Sequence, residues 1–324
     1  MDVVSQLLSA VRLSGSAFLR ADMRAPFAVE TLSGRATCAA FGHEYEHVIP
    51  YHLITRGRCW AGFPGEPRLE ATRGTVLLFP RGDAHVLAHD AEGVPVSIRE
   101  YLPSSLKGPL ALALGGNGEV TQLICGFLAC ESRRWNPLLE SLPRMMLVDI
   151  ADGPVATWMS SSLEYALIQS SASSIGSDAH LARLSELLFV EALRHYLATL
   201  PESNGGLLVA LQDRHLGPAI ARMHADPSTN WRVESLASEA GLSRSAFAER
   251  FQKLVGIAPL EYLTRWRMQL AARMLRDTNR TVLSIALDVG YRSDAALIRA
   301  FCREFDTTPA RWRRSGSRGP QFIQ

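Results

Sequence analysis

Two histidines and a cysteine in the N-terminal half of the chain have side chains suited to binding chemistry. His52, His85 and Cys125 combine two imidazoles with a thiol, a ligand set that suits Zn²⁺. The same three side chains could instead contact a small polar molecule, together with Tyr51 and Trp60, or could be buried for structural reasons alone. The sequence leaves all three interpretations open.

Basic side chains are concentrated at the other end of the chain. Residues 219–324 contain 17 Lys and Arg against 10 Asp and Glu, whereas the first 218 residues contain 17 basic and 22 acidic side chains. The net charge of +2 therefore hides a basic module joined to an acidic one. This division indicates that only the C-terminal module binds a polyanion.

Composition excludes several classes of protein. The 324 residues are 47% hydrophobic and 20% charged, as in ordinary globular domains rather than disordered chains. No apolar run is long enough to span a membrane, and the N-terminus lacks the basic region and cleavage site of a signal peptide. The five cysteines form no CxxC pair. We therefore expect a reduced, cytoplasmic protein that binds no membrane.

The hydrophobic period changes along the chain. Residues 48–102 contain short β-rich runs separated by turn signals, which favours a sandwich or barrel, and the glycine-rich residues 108–119 predict a loop. After about residue 136, apolar residues recur three and four apart, as in helices. The predicted domains are 1–200, which includes a helical segment over about 136–200, then a linker region over 201–213, and a C-terminal domain over 214–318.

A helical pattern occurs twice in the basic part of the chain. In the first copy a short helix ends at Gly241, and Ser243 caps the next helix; Gly290 and Ser293 take these places in the second copy. Two short helices joined by a glycine turn form a helix-turn-helix. Because the two glycines lie 49 residues apart in matching contexts, we predict a tandem pair of such motifs. Their recognition helices are placed at about 243–254 and 293–305.

A longer helix is predicted between the two motifs. Tyr262, Trp266, Leu270 and Met274 recur every four residues and define one buried face. A helix over 260–275 would be about 24 Å long at 1.5 Å per residue. This spacing would place the recognition helices about one DNA turn apart, roughly 34–36 Å, so that both enter successive major grooves.

These C-terminal segments resemble a known family. WRVESLASEAGLSRSAFAERF, WRMQLAARML and IALDVGYRSDAALIRAFCREFDTTPARWRR are similar to the DNA-binding domain of AraC/XylS transcription regulators. The resemblance implies an all-α domain that binds double-stranded DNA through both recognition helices. Three positions depart from the family pattern: Arg232 stands where a Thr-like cap is usual, Leu297 replaces a Phe, and Asp306 replaces a Gly.

The resemblance also assigns residues to DNA. Arg299 is the strongest candidate because arginine can bond both O6 and N7 of guanine, whereas Glu249 could accept from cytosine N4 or pair with Arg250 or Arg244. The predicted base-reading residues are Arg244, Ser245, Ala248, Glu249, Arg292, Ser293, Asp294, Ala295 and Arg299. The predicted phosphate contacts are Arg265, Arg267, Arg311, Arg313 and Arg314.

The N-terminal half resembles a second family. The run from Gly74 to His85, GTVLLFPRGDAH, fits the cupin motif G-x5-P-x-G-x2-H, and PYHLITRGRCW resembles the first cupin strand pair. The resemblance implies an α+β chain in which a cupin-like β-barrel, with a helical segment, encloses a small-molecule effector. The H-x-H pair of metal-binding cupins is absent, because His43, His47 and His52 have the wrong spacing.

Together these patterns predict a transcription regulator, not an enzyme, whose DNA binding is controlled by an effector in the cupin-like domain. The expected partners are double-stranded DNA, the effector, a second copy of the chain in a homodimer, and RNA polymerase; Zn²⁺ is the one candidate cofactor. Two alternatives stay open. The first is a metal-dependent cupin enzyme fused to a DNA-binding domain, and the second is a ligand-independent regulator that uses the barrel only to dimerise.

Overall fold

Sheets form in the first part of the chain and helices in the second, as the change of hydrophobic period predicts. The computed structural model describes residues 2–11, 13–40, 45, 47–102, 110–130, 136–150, 154–171, 177–200 and 206–316. The chain divides into two compact units. We call Val11–Arg133 with Leu142–Leu200 the β-rich unit, and Met1–Ala10 with Arg134–Ser141 and Pro201–Gln324 the helical unit.

Two sheets build the β-rich unit. The six-stranded sheet has the order β11-β6-β3-β10-β1-β9, and the five-stranded sheet has the order β5-β4-β7-β2-β8. The strands are β1 (Leu13–Arg24), β2 (Ala28–Glu30), β3 (His47–Arg56), β4 (Arg58–Gly62), β5 (Leu69–Thr72), β6 (Thr75–Leu78), β7 (Val86–Ala88), β8 (Val96–Ser97), β9 (Leu110–Gly115), β10 (Val120–Cys130) and β11 (Met146–Asp149). The predicted α+β class is correct, whereas the described strands do not show the predicted closed barrel.

Helices supply the rest of the regular structure. They are α1 (Val3–Val11), α2 (Gly34–Ala40), α3 (Pro137–Ser141), α4 (Pro154–Ser171), α5 (Ser177–Thr199), α6 (Leu207–Gln212), α7 (Leu216–Ala225), α8 (Val233–Glu239), α9 (Arg244–Val255), α10 (Pro259–Asp277), α11 (Val282–Asp288), α12 (Asp294–Phe305) and α13 (Pro309–Gly316). No helix in the described ranges combines the length and the apolar character needed to cross a bilayer.

The core of the β-rich unit is apolar and includes Phe27, Phe63, Phe79 and Leu123. Strand β3 is buried over most of its length. Its Tyr51 hydroxyl bonds the Ser185 hydroxyl of α5 at 2.9 Å. Burial on both faces explains why the sequence of β3 is mostly apolar and does not alternate between apolar and polar residues.

Two strands lie where the sequence predicted other structure. β9 falls in the predicted loop over 108–119 and pairs parallel to β1, with Leu112 and Leu114 buried. β11 falls in the predicted helical segment and pairs antiparallel to β6. The flanking glycines obscured the apolar alternation of β9, and four residues of β11 are too few to show a period.

The two predicted helix-turn-helix motifs are present in the helical unit. Gly241 and Gly290 both adopt positive φ, +64° and +85°, at the turn. The residue after each glycine donates its N–H to a carbonyl five residues earlier: Leu242 to Ala237 at 2.9 Å, and the equivalent Tyr291 at 2.8 Å. The turns therefore repeat in both conformation and hydrogen bonding.

The long helix α10 joins the two motifs through a buried face. Tyr262 and Trp266 are both at most 1% exposed. The His224 ring of α7 stacks on Trp266 at 4.1 Å, and its Nε2 hydrogen bonds the Tyr262 hydroxyl at 2.7 Å. Burial lowers the pKa of His224 to about 3, so this histidine is neutral in the folded protein.

The predicted linker region over 201–213 is in part a folded element. Residues 201–205 lie outside the described residues, but α6 follows them, and Leu207, Leu208, Val209 and Ala210 are buried. α6 packs against both α3 and α9. The sequence did not predict this helix, because six residues are too few for periodicity to reveal it.

The ends of the two recognition helices allow a prediction about stability. Gly256 ends α9 with φ +85°, and Asp306 ends α12 with φ +50°, a conformation that favours glycine. We expect Asp306→Gly to raise the free energy of unfolding by about 1 kcal/mol, and the matched Gly256→Asp to lower it by a similar amount. Urea unfolding measures both; a destabilised Asp306→Gly variant would contradict the argument.

Candidate nucleic-acid interface

Helices α9 and α12 present polar residues on one side and bury apolar residues on the other. Phe247 and Phe251 of α9, like Leu297 and Phe301 of α12, are completely buried. The exposed predicted base-reading residues are Arg244, Ser245, Glu249, Arg292, Asp294, Ala295 and Arg299, and Ala248 and Ser293 are half-buried. Helices α9 and α12 therefore expose six of the nine predicted base-reading residues, and the turn before α12 exposes Arg292.

Serine residues cap both recognition helices. The Ser243 hydroxyl oxygen accepts from the Ala246 N–H at 3.3 Å, and the Ser293 oxygen accepts from the Ala296 N–H at 3.2 Å. The predicted base contact of Ser293 is therefore less favourable than expected, because its oxygen is engaged in starting the helix.

The two recognition helices are offset by one residue more than the turn glycines that precede them. The second turn contains one extra residue, Arg292, so that α12 begins 50 residues after α9 although the turn glycines are 49 apart. Arg244, the first residue of α9, thus corresponds to Asp294 and not to Arg292. By the same count Glu249 corresponds to Arg299, so the two helices carry opposite charges at one equivalent position.

Two arginines of the first motif are held by carboxylates. The Arg244 Nε lies 2.9 Å from Glu234 Oε1, an exposed pair that solvent screens and that leaves Arg244 available to other partners. Arg250 pairs with Asp213. In the structure both cations that the sequence offered as partners of Glu249 pair with other carboxylates, and the Arg244 pair is the more exposed of the two.

The five arginines predicted to contact phosphate fall into two groups. Arg311 and Arg314 are exposed on α13, and Arg265 forms an ion pair with Glu261 of its own helix at 2.8 Å. These three positions are compatible with contacts to the DNA phosphate backbone. Their assignment to phosphate stays a prediction.

Arg267 and Arg313 instead join distant parts of the helical unit. Arg267 donates to the Pro227 carbonyl at 2.7 Å and to the Thr229 carbonyl at 2.8 Å, and burial lowers its pKa. Arg313 donates to two further carbonyls, those of Leu275 and Arg280, at 3.1 and 2.6 Å. These donors already have protein acceptors, and the phosphate role of both arginines stays a prediction.

In the β-rich unit, the two candidate histidines contact each other. The Nε2 atoms of His52 and His85 lie 2.6 Å apart. The Nδ1 atom of His85 lies 3.0 Å from the Asp83 carbonyl oxygen, which can only accept, so we assign the proton of His85 to Nδ1. His52 then donates from Nε2 to the free Nε2 lone pair of His85. Burial lowers the pKa of both imidazoles, and that of His85 falls to about 4. Both histidines are therefore neutral.

The predicted zinc site is not assembled. Cys125 lies opposite His52 in the pairing of β10 with β3, but the described part of the chain contains no group of three His, Cys, Asp or Glu side chains placed to hold a metal ion. The Nε2 atoms of His52 and His85 are directed at each other, 2.6 Å apart.

The remaining candidate ligand contacts point elsewhere. Tyr51 faces α5, because its hydroxyl bonds Ser185. Trp60 is half-buried between Cys59 and Ala61, which both point into the core, so Trp60 lies on the outer face of its sheet. The predicted set of five ligand-contacting residues is thus divided: Tyr51 is buried against α5, whereas His52, His85 and Cys125 are buried on the core side of the sheets.

A β-rich unit joined to a tandem helix-turn-helix defines a class, that of DNA-binding transcription regulators with a cupin-like domain. Comparison with known families agrees: residues 2–198 match the Cupin family and residues 236–315 match the Helix-turn-helix domain family. The chain belongs to the AraC family of transcription regulators.

Individual relatives cover most of the chain. It is 35% identical to an AraC-like transcription regulator of Streptomyces lividans, over 82% of this chain and 87% of the relative. It is 28% identical to the HTH-type transcriptional regulator AlkR of Acinetobacter baylyi, over 97% and 99% of the two chains. Among solved structures, the DNA-binding domain of AdpA in complex with a target DNA is 34% identical and matches 34% of this chain and 99% of that one, with a TM-score of 0.32.

Proposed function

We propose that the chain reads a specific double-stranded DNA site by placing α9 and α12 in successive major grooves, and that a small-molecule effector in the β-rich unit controls this binding. The main support for DNA reading is the pair of amphipathic helices α9 and α12. Each is capped by serine and held by two buried apolar side chains. α10 has 19 residues and is therefore about 28 Å long, a length that suits helices about one DNA turn apart.

The interior of the β-rich unit supports effector control. The neutral His52–His85 pair lies among apolar side chains, with the Phe79 ring stacked on His85 at 3.4 Å. A neutral, largely apolar molecule with one or two hydrogen-bonding groups suits such surroundings, because a charged ligand would lose its hydration there. An effector of this kind would act by binding better to one state of the regulator than to the other.

Further partners belong to the same proposal. Trp158, Tyr165 and Ile168 are all about half exposed on one side of α4, which supports a second copy of the chain as a partner of the β-rich unit. RNA polymerase is the partner expected when the bound site lies beside a promoter. The alternative of a cupin enzyme fused to a DNA-binding domain stays open, and metal analysis of the purified chain tests it.

The proposed function is tested by binding the purified full chain to a random DNA library and footprinting the selected sequences at several salt concentrations. We expect one preferred site whose affinity falls steeply with salt, because lysine and arginine contacts release counterions. Binding without preference for any sequence would overturn the proposal. A thermal-shift screen against metabolites tests the effector: no stabilisation by any compound would favour a ligand-independent regulator.

Arg299 gives the sharpest residue-level prediction. We expect Arg299→Ala to lose about 1–3 kcal/mol of discrimination at a single base pair, because the guanidinium would no longer bond a guanine edge. Arg311→Ala is the matched control: it should weaken binding to all sequences alike and reduce the salt slope by about one contact. Binding to a set of single-base variants of the site measures both. Unchanged preference in Arg299→Ala would remove its reading role.

A further inference from the structure

The segment that leads from the β-rich unit into the helical unit is fixed to the first recognition helix. The Gly206 N–H donates to the carbonyl of Leu254, in the last turn of α9, at 2.8 Å. Directly after Gly206, α6 packs its buried apolar residues against the same helix. The C-terminal end of α9 is therefore attached to residues that lie well before the helix-turn-helix motif.

A second attachment lies at the end of α6. Asp213 is the residue that follows this helix, and its Oδ1 accepts from the N–H groups of His215 and Leu216, at 3.0 and 2.9 Å, where α7 begins. Both of its oxygens also face Arg250 of α9: Nε lies 3.2 and 3.1 Å from them, and Nη2 donates to Oδ2. One carboxylate thus joins the start of α7 to the recognition helix.

The Asp213–Arg250 pair is better placed than an ordinary surface ion pair. The Asp213 side chain is only 9% exposed, and the two-pronged geometry fixes direction as well as distance. Burial alone would raise the pKa of Asp213. The hydrogen bonds from Arg250 and from the Leu216 and His215 N–H groups outweigh burial and lower this pKa to about 2.

The same segment also holds the first helix of the motif. His215 Nδ1 lies 2.9 Å from the carbonyl oxygen of Ala240, at the end of α8. The second motif has no counterpart of this arrangement at the position equivalent to Arg250, because that position is Ala300, which is buried. The polar anchor is therefore a property of the first motif.

We propose that Asp213 is a positioning residue for DNA reading: through Arg250 it fixes the rotation and tilt of α9, so that the segment 206–216 sets how the first motif meets its bases. The inference rests on the proposed function. Asp213 and Arg250 would touch no base themselves and would act by orienting Glu249, Ser245 and Arg244.

The test compares variants of the full chain on the selected site and on its single-base variants. Asp213→Ala removes both the helix cap and the ion pair, Asp213→Asn keeps the acceptor for the α7 N–H groups, and Arg250→Gln removes the pair from the other side. Asp288→Asn is the matched control, because it breaks an ion pair with Arg280 in the second motif, off the recognition helix. Urea unfolding confirms that each variant is folded.

We expect Asp213→Ala and Arg250→Gln to weaken binding about tenfold, and Asp213→Asn less, because a charge-assisted hydrogen bond that orients the helix is lost. The loss of base preference should be confined to the half of the site that Arg299→Ala leaves unaffected, with an unchanged salt slope and no effect of Asp288→Asn. Equal loss in both halves, or no change in either, would overturn the inference. A wild-type chain without base preference would instead overturn the proposed function itself.

Discussion

Alanine at Gly290 is expected to lower the free energy of unfolding of the helical unit by about 3–5 kcal/mol, whereas alanine at the equivalent Gly241 is expected to lower it by only about 1 kcal/mol. Both glycines have positive φ, so both variants carry the same backbone strain. A Cβ at Gly290 would also lie 2.8 Å from the Ser228 carbonyl oxygen and 2.9 Å from Arg267 Nη2, while a Cβ at Gly241 would meet nothing within 4 Å.

The difference between the two variants isolates the effect of crowding. The obstructing atoms at Gly290 are backbone and the arginine that holds the Thr229 carbonyl, so relief would require the 227–229 loop to move and that hydrogen bond to break. Urea or thermal unfolding of the two alanine variants measures the difference. Equal destabilisation would show that the turn strain alone matters and that the contact with the loop is dispensable.

Acid should destabilise the helical unit through His224. The pKa of this buried histidine is about 3 in the folded protein, against 6.5 for the ordinary side chain. Between these values the unfolded chain binds a proton that the folded chain does not, so stability is lost as the pH falls below about 6.5 and continues to fall towards 3. By pH 4 the loss from this one group is about 3 kcal/mol.

The matched variant for this prediction is His224→Gln, which keeps a polar side chain beside Tyr262 and Trp266 but cannot titrate. The free energy of unfolding of both proteins is measured from pH 7 to pH 4. The wild type should lose about 3 kcal/mol more over this range than the His224→Gln variant. The comparison is needed because His52 and His85 of the β-rich unit have lowered pKa values and act in the same direction. Parallel pH profiles would contradict the assignment to His224.

Local signals in the sequence were sufficient to predict the tandem motif. A glycine at a positive φ and a serine with an oxygen free to cap a helix are requirements of neighbouring residues, so Gly241, Ser243, Gly290 and Ser293 could be recognised without knowledge of the tertiary fold. The buried faces of α9, α10 and α12 follow from the 3.6-residue period in the same way.

Contacts between distant residues could not be predicted in this manner. An arginine on a helix has the same sequence signature whether it meets a phosphate or a backbone carbonyl, and Arg267 meets carbonyls about 40 residues away. Asp213 was missed for the same reason, although an aspartate just before a helix is a recognisable capping signal. In the β-rich unit the roles of Tyr51 and Trp60 depend on strand register and on the helix that covers β3, which composition does not specify.

Glu249 and Arg299 carry opposite charges at one equivalent helix position, which gives the DNA site a direction. Under the proposed function, the two ends of the site differ in sequence, so a single bound chain distinguishes upstream from downstream. Inverting the site while leaving its position unchanged would reverse the order of α9 and α12 along the DNA, and a palindromic site would be read well by only one of the two helices.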